Sequence, residues 1–279
     1  SIYQCVCKKR KLNHQKGEVP MEELKKVTLA GLVVSEKPIA HGEPPVEGEE
    51  KTNKSELRRM NFVTDNGDII KIPTISGNST RGKTRRIFMQ KTLATIDTSL
   101  NNLSPDIAYW LLAGGSLGKG KRLLKNDPQF TEVLYDKLPF VKLLGGSLNG
   151  LFTTGSLRVD FMVPLFKETY NTIKNASLFN LDPDQLPNVA EYTKNITDGP
   201  VLFTKVDDGS ILTDENEKSS QMIFVVEYIP QNTKFVHGFS IDYSSDKVEK
   251  AFWGFVDCFL DHGEVGGMAA KGFGKIRAE

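Results

Sequence analysis

Cysteine is scarce in this sequence: Cys5, Cys7 and Cys258 are the only three in 279 residues. Three are too few for the disulfide framework of a small secreted domain, so a reducing cytoplasm is the expected location. Long apolar runs are missing as well, since no stretch approaches the roughly 18–20 residues that a membrane span requires. The opening "SIYQCVCKKRKLNHQKG" is polar and basic where a secretory signal has an apolar centre, so no membrane partner is expected. Charge of one sign is also lacking. The net value of +1 excludes a uniformly basic nucleic-acid coat but not local clusters. The four histidines show no ligand spacing, and Cys5 and Cys7 have no second pair to match them, so neither a metal nor another cofactor is expected.

What is present is a soluble globular composition, 39% hydrophobic and 25% charged, in a chain long enough for one substantial core with added pieces. Basic residues gather at Lys8–Lys11, Arg58–Arg59, Arg81–Arg86, Lys119–Lys125 and Lys271–Arg277, and acidic ones at Glu43–Glu50, Asp207–Asp208 and Asp214–Glu217. "KKVTLAGLVVS" reads as a first strand, and Met21 just before it is a plausible original start, with residues 1–20 an N-terminal extension. The Pro-, Gly- and Glu-rich stretch 41–57 reads as a flexible loop. "LRRMNFVTDNGDIIKIPTIS" reads as a hairpin turning at Asp65–Asp68, followed by a helix capped by Asn78 or Ser79. Further helices are predicted in "SPDIAYWLLAGGSL" and in "PQFTEVLYDKLPFVKLLGGSLNG", the second ending in its glycines, before "GSLRVDFMVPLF" returns to strand. Residues 168–217 are polar and read as a lobe projecting from the core. "QMIFVVEYIP" and "TKFVHGFSID" are predicted strands joined by a short turn, and "SDKVEKAFWGFVDCFLDHG" a helix opening on Ser245 and closing on Gly263.

The segment "GNSTRGKT" matches the phosphate-loop pattern G-x-x-x-x-G-K-[ST] at Gly77, Gly82, Lys83 and Thr84. Nucleotide hydrolysis is the alternative it raises. Pro73 interrupts the preceding strand, and the acids that would hold magnesium, Asp160 and Glu227, do not end a clean strand, so a P-loop fold is not the expectation. A helix N-terminus freed of bulk by Gly77 and Gly82, with Arg81, Lys83, Arg85 and Arg86 beside it, still attracts phosphate, here one belonging to a polymer.

In this order, "KIPTISGNSTRGKTRR", "LLGGSLNG" and "GGMAAKGFGKI" resemble the RAMP superfamily of CRISPR-associated proteins, specifically the repeated backbone subunit, the seventh Cas family. The resemblance implies an α+β fold, a ferredoxin-like, RRM-like core with inserted thumb and finger elements. It spans from about Lys25 to the C-terminus and, with the composition read above, divides the chain into a first part of the core at 21–167 and a C-terminal part with a glycine-rich loop at 218–279, leaving the extension 1–20 and an inserted lobe or thumb at 168–217 outside the resemblance. It also implies a type IV-like or type III-like effector complex whose subunits stack head-to-tail on crRNA and present it to target DNA or RNA beside other CRISPR effector subunits. By position, Ser76, Asn78, Ser79, Arg81, Lys83 and Arg85 would face RNA phosphates, with Arg86 packing on the helix's other face. Arg58, Arg59 and His41 are further RNA candidates. In the C-terminal loop, Gly266, Gly267, Met268, Lys271 and Gly272 would let the RNA approach the backbone. Phe179, Leu181 and Phe203 are candidate base wedges or, equally, core packing of a small lobe. RNA-cleaving relatives use a loop aspartate after the first strand, whereas residues 41–59 here contain only glutamates, Glu43, Glu47, Glu49, Glu50 and Glu56. A non-catalytic scaffold is therefore expected, with a target-RNA endonuclease as the alternative within the superfamily.

Overall fold

The β-branched, alternating segment at the start of the core forms a long central strand, and the rest of the architecture is arranged around it. The computed structural model describes residues 3–5, 8–9, 25–43, 54–64, 66–115, 127–173, 176–196, 201–203, 223–243 and 245–279. In chain order the strands and helices are β1 (Tyr3–Cys5), β2 (Lys8–Lys9), β3 (Lys25–Ser35), β4 (Lys54–Ser55), β5 (Arg59–Val63), β6 (Ile69–Pro73), α1 (Gly77–Thr95), α2 (Pro105–Ala113), α3 (Pro128–Lys137) and α4 (Pro139–Leu144). They continue with β7 (Gly146–Leu148), β8 (Leu151–Thr153), β9 (Leu157–Val159), β10 (Val163–Pro164), α5 (Val189–Ile196), β11 (Val201–Phe203), β12 (Ile223–Val226), β13 (Lys234–Tyr243), α6 (Asp246–His262) and β14 (Ile276–Ala278).

The fold is α+β. In the main sheet β3 pairs antiparallel with β13 along ten residues, β14 pairs with the outer edge of β3, and β9 and β10 pair with β13. The order β14–β3–β13–β9/β10, with α1 and α6 as the two crossover helices, is that of a ferredoxin-like core. Strand alternation separates two faces. Val27, Leu29, Val33, Phe235, Phe239 and Ile241 pack with Phe88, Met89, Phe252 and Phe255 of α1 and α6. On the other side Leu32 and Val236 meet Leu165, Ile173, Ala176 and Leu186. Each of the large buried side chains contributes about 1.5–3 kcal/mol by leaving water.

Several expectations need correction. α1 begins two or three residues earlier than Asn78 or Ser79 would set it, because the Ser76 hydroxyl accepts the Ser79 N–H and makes Ser76 the cap. "PQFTEVLYDKLPFVKLLGGSLNG" is not one helix ending in glycines. Pro139 divides it into α3 and α4, and "GSLNGLFT" forms the β7–β8 hairpin, whose turn residues Asn149 and Gly150 both have positive φ. Strands β12 and β13 do not pair with each other; β12 lies instead between β11 and β4. In the segment read as a projecting lobe, Ile173, Ala176 and Leu186 pack against the sheet, and the Tyr192 hydroxyl hydrogen-bonds Thr233 just before β13. Phe179 and Leu181 join that packing rather than standing out as wedges. The centre of the predicted loop at 44–53, the basic run 119–125, the acidic runs at 207–208 and 214–217, and the Phe203 side chain lie outside the described residues.

His237 on β13 is enclosed by the rings of Phe239 at 4.6 Å and Phe259 at 5.3 Å. Burial lowers its pKa from 6.5 to about 3, opposed only in part by a hydrogen bond to the Asp160 backbone. The folded chain therefore keeps this ring neutral while the unfolded chain protonates it below about pH 6.5. Stability is full above that value and is lost as the pH falls toward 3. By pH 5 the loss reaches about 2 kcal/mol, and His41 and His262, whose pKa values are also lowered, add in the same direction. Thermal denaturation at pH 7 and pH 5 checks this, and an unchanged melting temperature would contradict it.

Candidate nucleic-acid interface

Where β3 ends, the chain runs through Ile39 to Glu43 and ties three separate segments to one point. The Ala40 carbonyl accepts the Gly267 N–H at 2.7 Å, the His41 carbonyl accepts the Arg58 N–H at 2.9 Å, and the His41 Nε2 accepts the Ser76 N–H at 3.1 Å. Thr74 N–H in turn donates to the Arg58 carbonyl at 3.0 Å. The start of α1, the residues before β5 and the C-terminal glycine-rich loop are thus held side by side, although they are far apart in sequence. Accepting that N–H requires a neutral imidazole, and burial, followed by the neighbouring Arg58 charge, holds the pKa of His41 below its usual value. His41 therefore positions the helix cap and is not a cationic phosphate contact.

The phosphate-loop pattern lies inside α1. Residues 77–84 are its first two turns, so the N–H groups of Gly82, Lys83 and Thr84 are directed into the helix ladder rather than toward a bound nucleotide. The preceding strand β6 pairs antiparallel with β5 in a two-stranded hairpin and not in a parallel sheet. This local geometry is not that of a nucleotide-hydrolysing loop.

Along α1 the side chains divide by helical phase. Ser76 and Thr80 are buried, Asn78 is exposed, and Ser79, Arg81 and Lys83 are half-buried. Arg81 donates to the Leu144 carbonyl, and Lys83 Nζ pairs with Glu264 Oε2 at 3.2 Å, an atom that also lies 3.2 Å from His262 Nε2. The hydrogen bond from Lys83 is the main reason the Glu264 carboxyl titrates below its usual range. Arg85 departs most from expectation. It is 7% exposed and donates to the carbonyls of Leu111 at 2.6 Å, Trp110 at 2.8 Å and Gly145 at 2.9 Å. Burial, with the Arg81 charge second, lowers its pKa to about 10, so it remains charged at neutral pH. Arg85 clamps α2 and α4 onto α1, and Arg86 is the exposed one of the pair.

Arg59 is likewise structural. Its guanidinium pairs with the buried Glu227 carboxylate at 2.8 Å, and the same carboxylate oxygen accepts the Leu57 N–H at 2.9 Å. Glu227, which the sequence suggested only as a magnesium ligand, thus holds β12 beside the start of β5. In the glycine-rich loop, Gly266 has φ +69° and a Cβ there would lie 2.4 Å from the Ala40 carbonyl oxygen, so this glycine serves packing. Gly272, with φ +84° and nothing within 4 Å of a Cβ, faces open space beside exposed Lys271, with Gly267 exposed and Met268 half-buried. On its other flank α1 borders a cleft of about 470 Å³ lined by Asn78, Arg81, Gly82, Gly145, Gly146 and Gly155. At Gly82 a Cβ would meet nothing within 4 Å, so a ligand backbone can approach the helix closely there. Among the described residues, no group of histidine, cysteine, aspartate and glutamate is arranged to hold a metal ion, and no helix is long and apolar enough to cross a membrane.

No family model matches the chain, and no curated protein matches it. Among solved structures, a chain of a "Type IV-B CRISPR Complex" is similar with a TM-score of 0.58 and 22% identity, covering 90% of this chain and 89% of that one. The likeness is one of fold and extends over nearly the whole length of both chains.

Proposed function

We propose that this protein is a guide-RNA-binding backbone subunit of a CRISPR effector complex, a RAMP-type member of the seventh Cas family. It would stack head-to-tail along crRNA with other effector subunits and present the guide to target DNA or RNA. The observation that carries this reading is the junction at Ala40 and His41, which ties together the start of the helix that carries Asn78, Arg81 and Lys83, the segment at Arg58, and the glycine-rich loop that carries Lys271 and Gly272. A cationic strip with accessible backbone at a helix N-terminus suits a continuous sugar-phosphate chain. The fold likeness to a chain from a CRISPR complex supports the same assignment. Sequence selection would come from pairing with the guide, leaving the protein to recognise shape and charge. In this reading the chain is a scaffold rather than a nuclease and works in the cytoplasm. Residues 21–167 and 218–279 form the RRM-like core, whose sheet Tyr3–Cys5 and Lys8–Lys9 extend by pairing with β3, and 168–217 are an insertion that begins against the core sheet and carries the lobe or thumb.

Head-to-tail stacking has a direct test, because only a heterologous interface propagates along a strand. Electron microscopy of the protein mixed with RNAs of increasing length is expected to show particles that lengthen in proportion to the RNA. Particles of constant size would contradict the filament. The Lys83–Glu264 pair gives a second test. A carboxylate beside a phosphate-binding lysine opposes RNA, so Glu264→Gln is expected to tighten single-stranded RNA binding by about threefold at low salt. Unchanged or weaker binding would remove Lys83 from the interface.

A further inference from the structure

The edge of the sheet breaks between β9 and β10. Asp160 is still tied to β13, its N–H donating to the Gly238 carbonyl at 2.9 Å, but Met162 leaves the ladder and exchanges backbone hydrogen bonds with Ile75. The excursion turns Phe161 outward, where it is 36% exposed. It also opens a pocket of about 310 Å³ bounded by Phe62, Asp160, Phe161, Thr172, His237 and Gly238. The Asp160 carboxylate lies over position 238, which carries no side chain: a Cβ there would lie 2.6 Å from Asp160 Oδ2.

Three properties define what fits. Two phenylalanine rings in the wall favour a planar, polarisable partner. The Asp160 carboxylate repels phosphate and accepts a hydrogen bond, which selects a group bearing N–H donors. The pocket also adjoins the start of α1, since a Cβ on Gly77 would lie 2.1 Å from the Val159 carbonyl oxygen, one residue before Asp160. We propose that this pocket receives a single nucleobase carrying an exocyclic amine, stacked on the Phe161 ring with the amine donating to the Asp160 carboxylate. The inference rests on the nucleic-acid reading above and adds a base-selective position to an otherwise backbone-directed interface. Aspartate accepting from the cytosine amine is an established mode of base discrimination.

The test uses the full chain and three probes: 12-nucleotide oligo(C) and oligo(U) RNAs and an oligo(U) RNA carrying 2-aminopurine. The protein is expected to bind oligo(C) about tenfold more tightly than oligo(U) and to quench the 2-aminopurine fluorescence. Asp160→Asn should abolish the preference, because the amide also donates. Phe161→Ala should abolish the quenching while Phe161→Trp preserves it, with melting temperatures confirming that each variant is folded. If the unaltered protein binds no RNA at all, the underlying assignment fails and the pocket with it. If it binds both RNAs equally and Phe161→Ala leaves the quenching in place, the assignment survives and the base pocket is overturned. A loss of self-association without RNA in Phe161→Ala, with quenching intact, would assign the pocket to a neighbouring copy and likewise overturn the proposal.

Discussion

Arg85→Met is expected to lower the unfolding free energy by about 3–5 kcal/mol, the range found when one partner of a buried, charge-assisted network is removed. Methionine fills much of the same space, so the loss comes mainly from the carbonyls of Leu111 and Gly145, which would lose their donor, while the Trp110 carbonyl keeps the Gly114 N–H. Those carbonyls belong to the C-terminal end of α2 and the residue following α4, where helices leave acceptors unsatisfied and a cation is favoured. A loss of this size is a large fraction of the stability of an ordinary domain. Urea denaturation of the variant measures it directly. If the variant is as stable as the parent but binds RNA less well, Arg85 belongs to the phosphate interface and the clamp is wrong.

The second large effect is on RNA affinity. Arg81→Ala combined with Lys83→Ala is expected to weaken single-stranded RNA binding by about tenfold to a hundredfold at ~0.1 M salt. It should also flatten the dependence of log affinity on log salt by about 1.4, close to 0.7 for each phosphate contact on a single strand. Both side chains have internal partners in the free protein, Leu144 and Glu264. Binding must exchange those partners for phosphate, so the net effect is smaller than for two unengaged cations. Filter binding across a salt series gives both quantities. Reduced affinity with an unchanged slope would mean that the substitutions acted through the fold.

Local signals accounted for the elements that the sequence resolves. Lys25–Ser35 is legible because alternation and β-branching agree, and α6 because Ser245 and Gly263 mark both ends. The start of α1 was ambiguous because Ser76, Asn78 and Ser79 are all good caps, and contact with His41 selects among them. Arg85 was misassigned although the helical phase was available: it lies one turn before Phe88 and Met89, on the buried stripe, whereas Arg86 lies one turn before exposed Gln90. Its carbonyl partners come from α2 and the end of α4 and leave no local signal. The same holds for Arg59 and Glu227, 168 positions apart. The hairpin at Asn149–Gly150 was readable from its Asn-Gly pair, but the adjacent glycines suggested a helix end instead.

The central claim is that the strip beside Ala40 and His41 holds a guide RNA, and the protein as it occurs in its host tests this most directly. Purified at low salt and extracted, it is expected to yield RNA of one discrete length that high salt releases. Protein recovered free of RNA, or carrying RNA of random length, would contradict the claim.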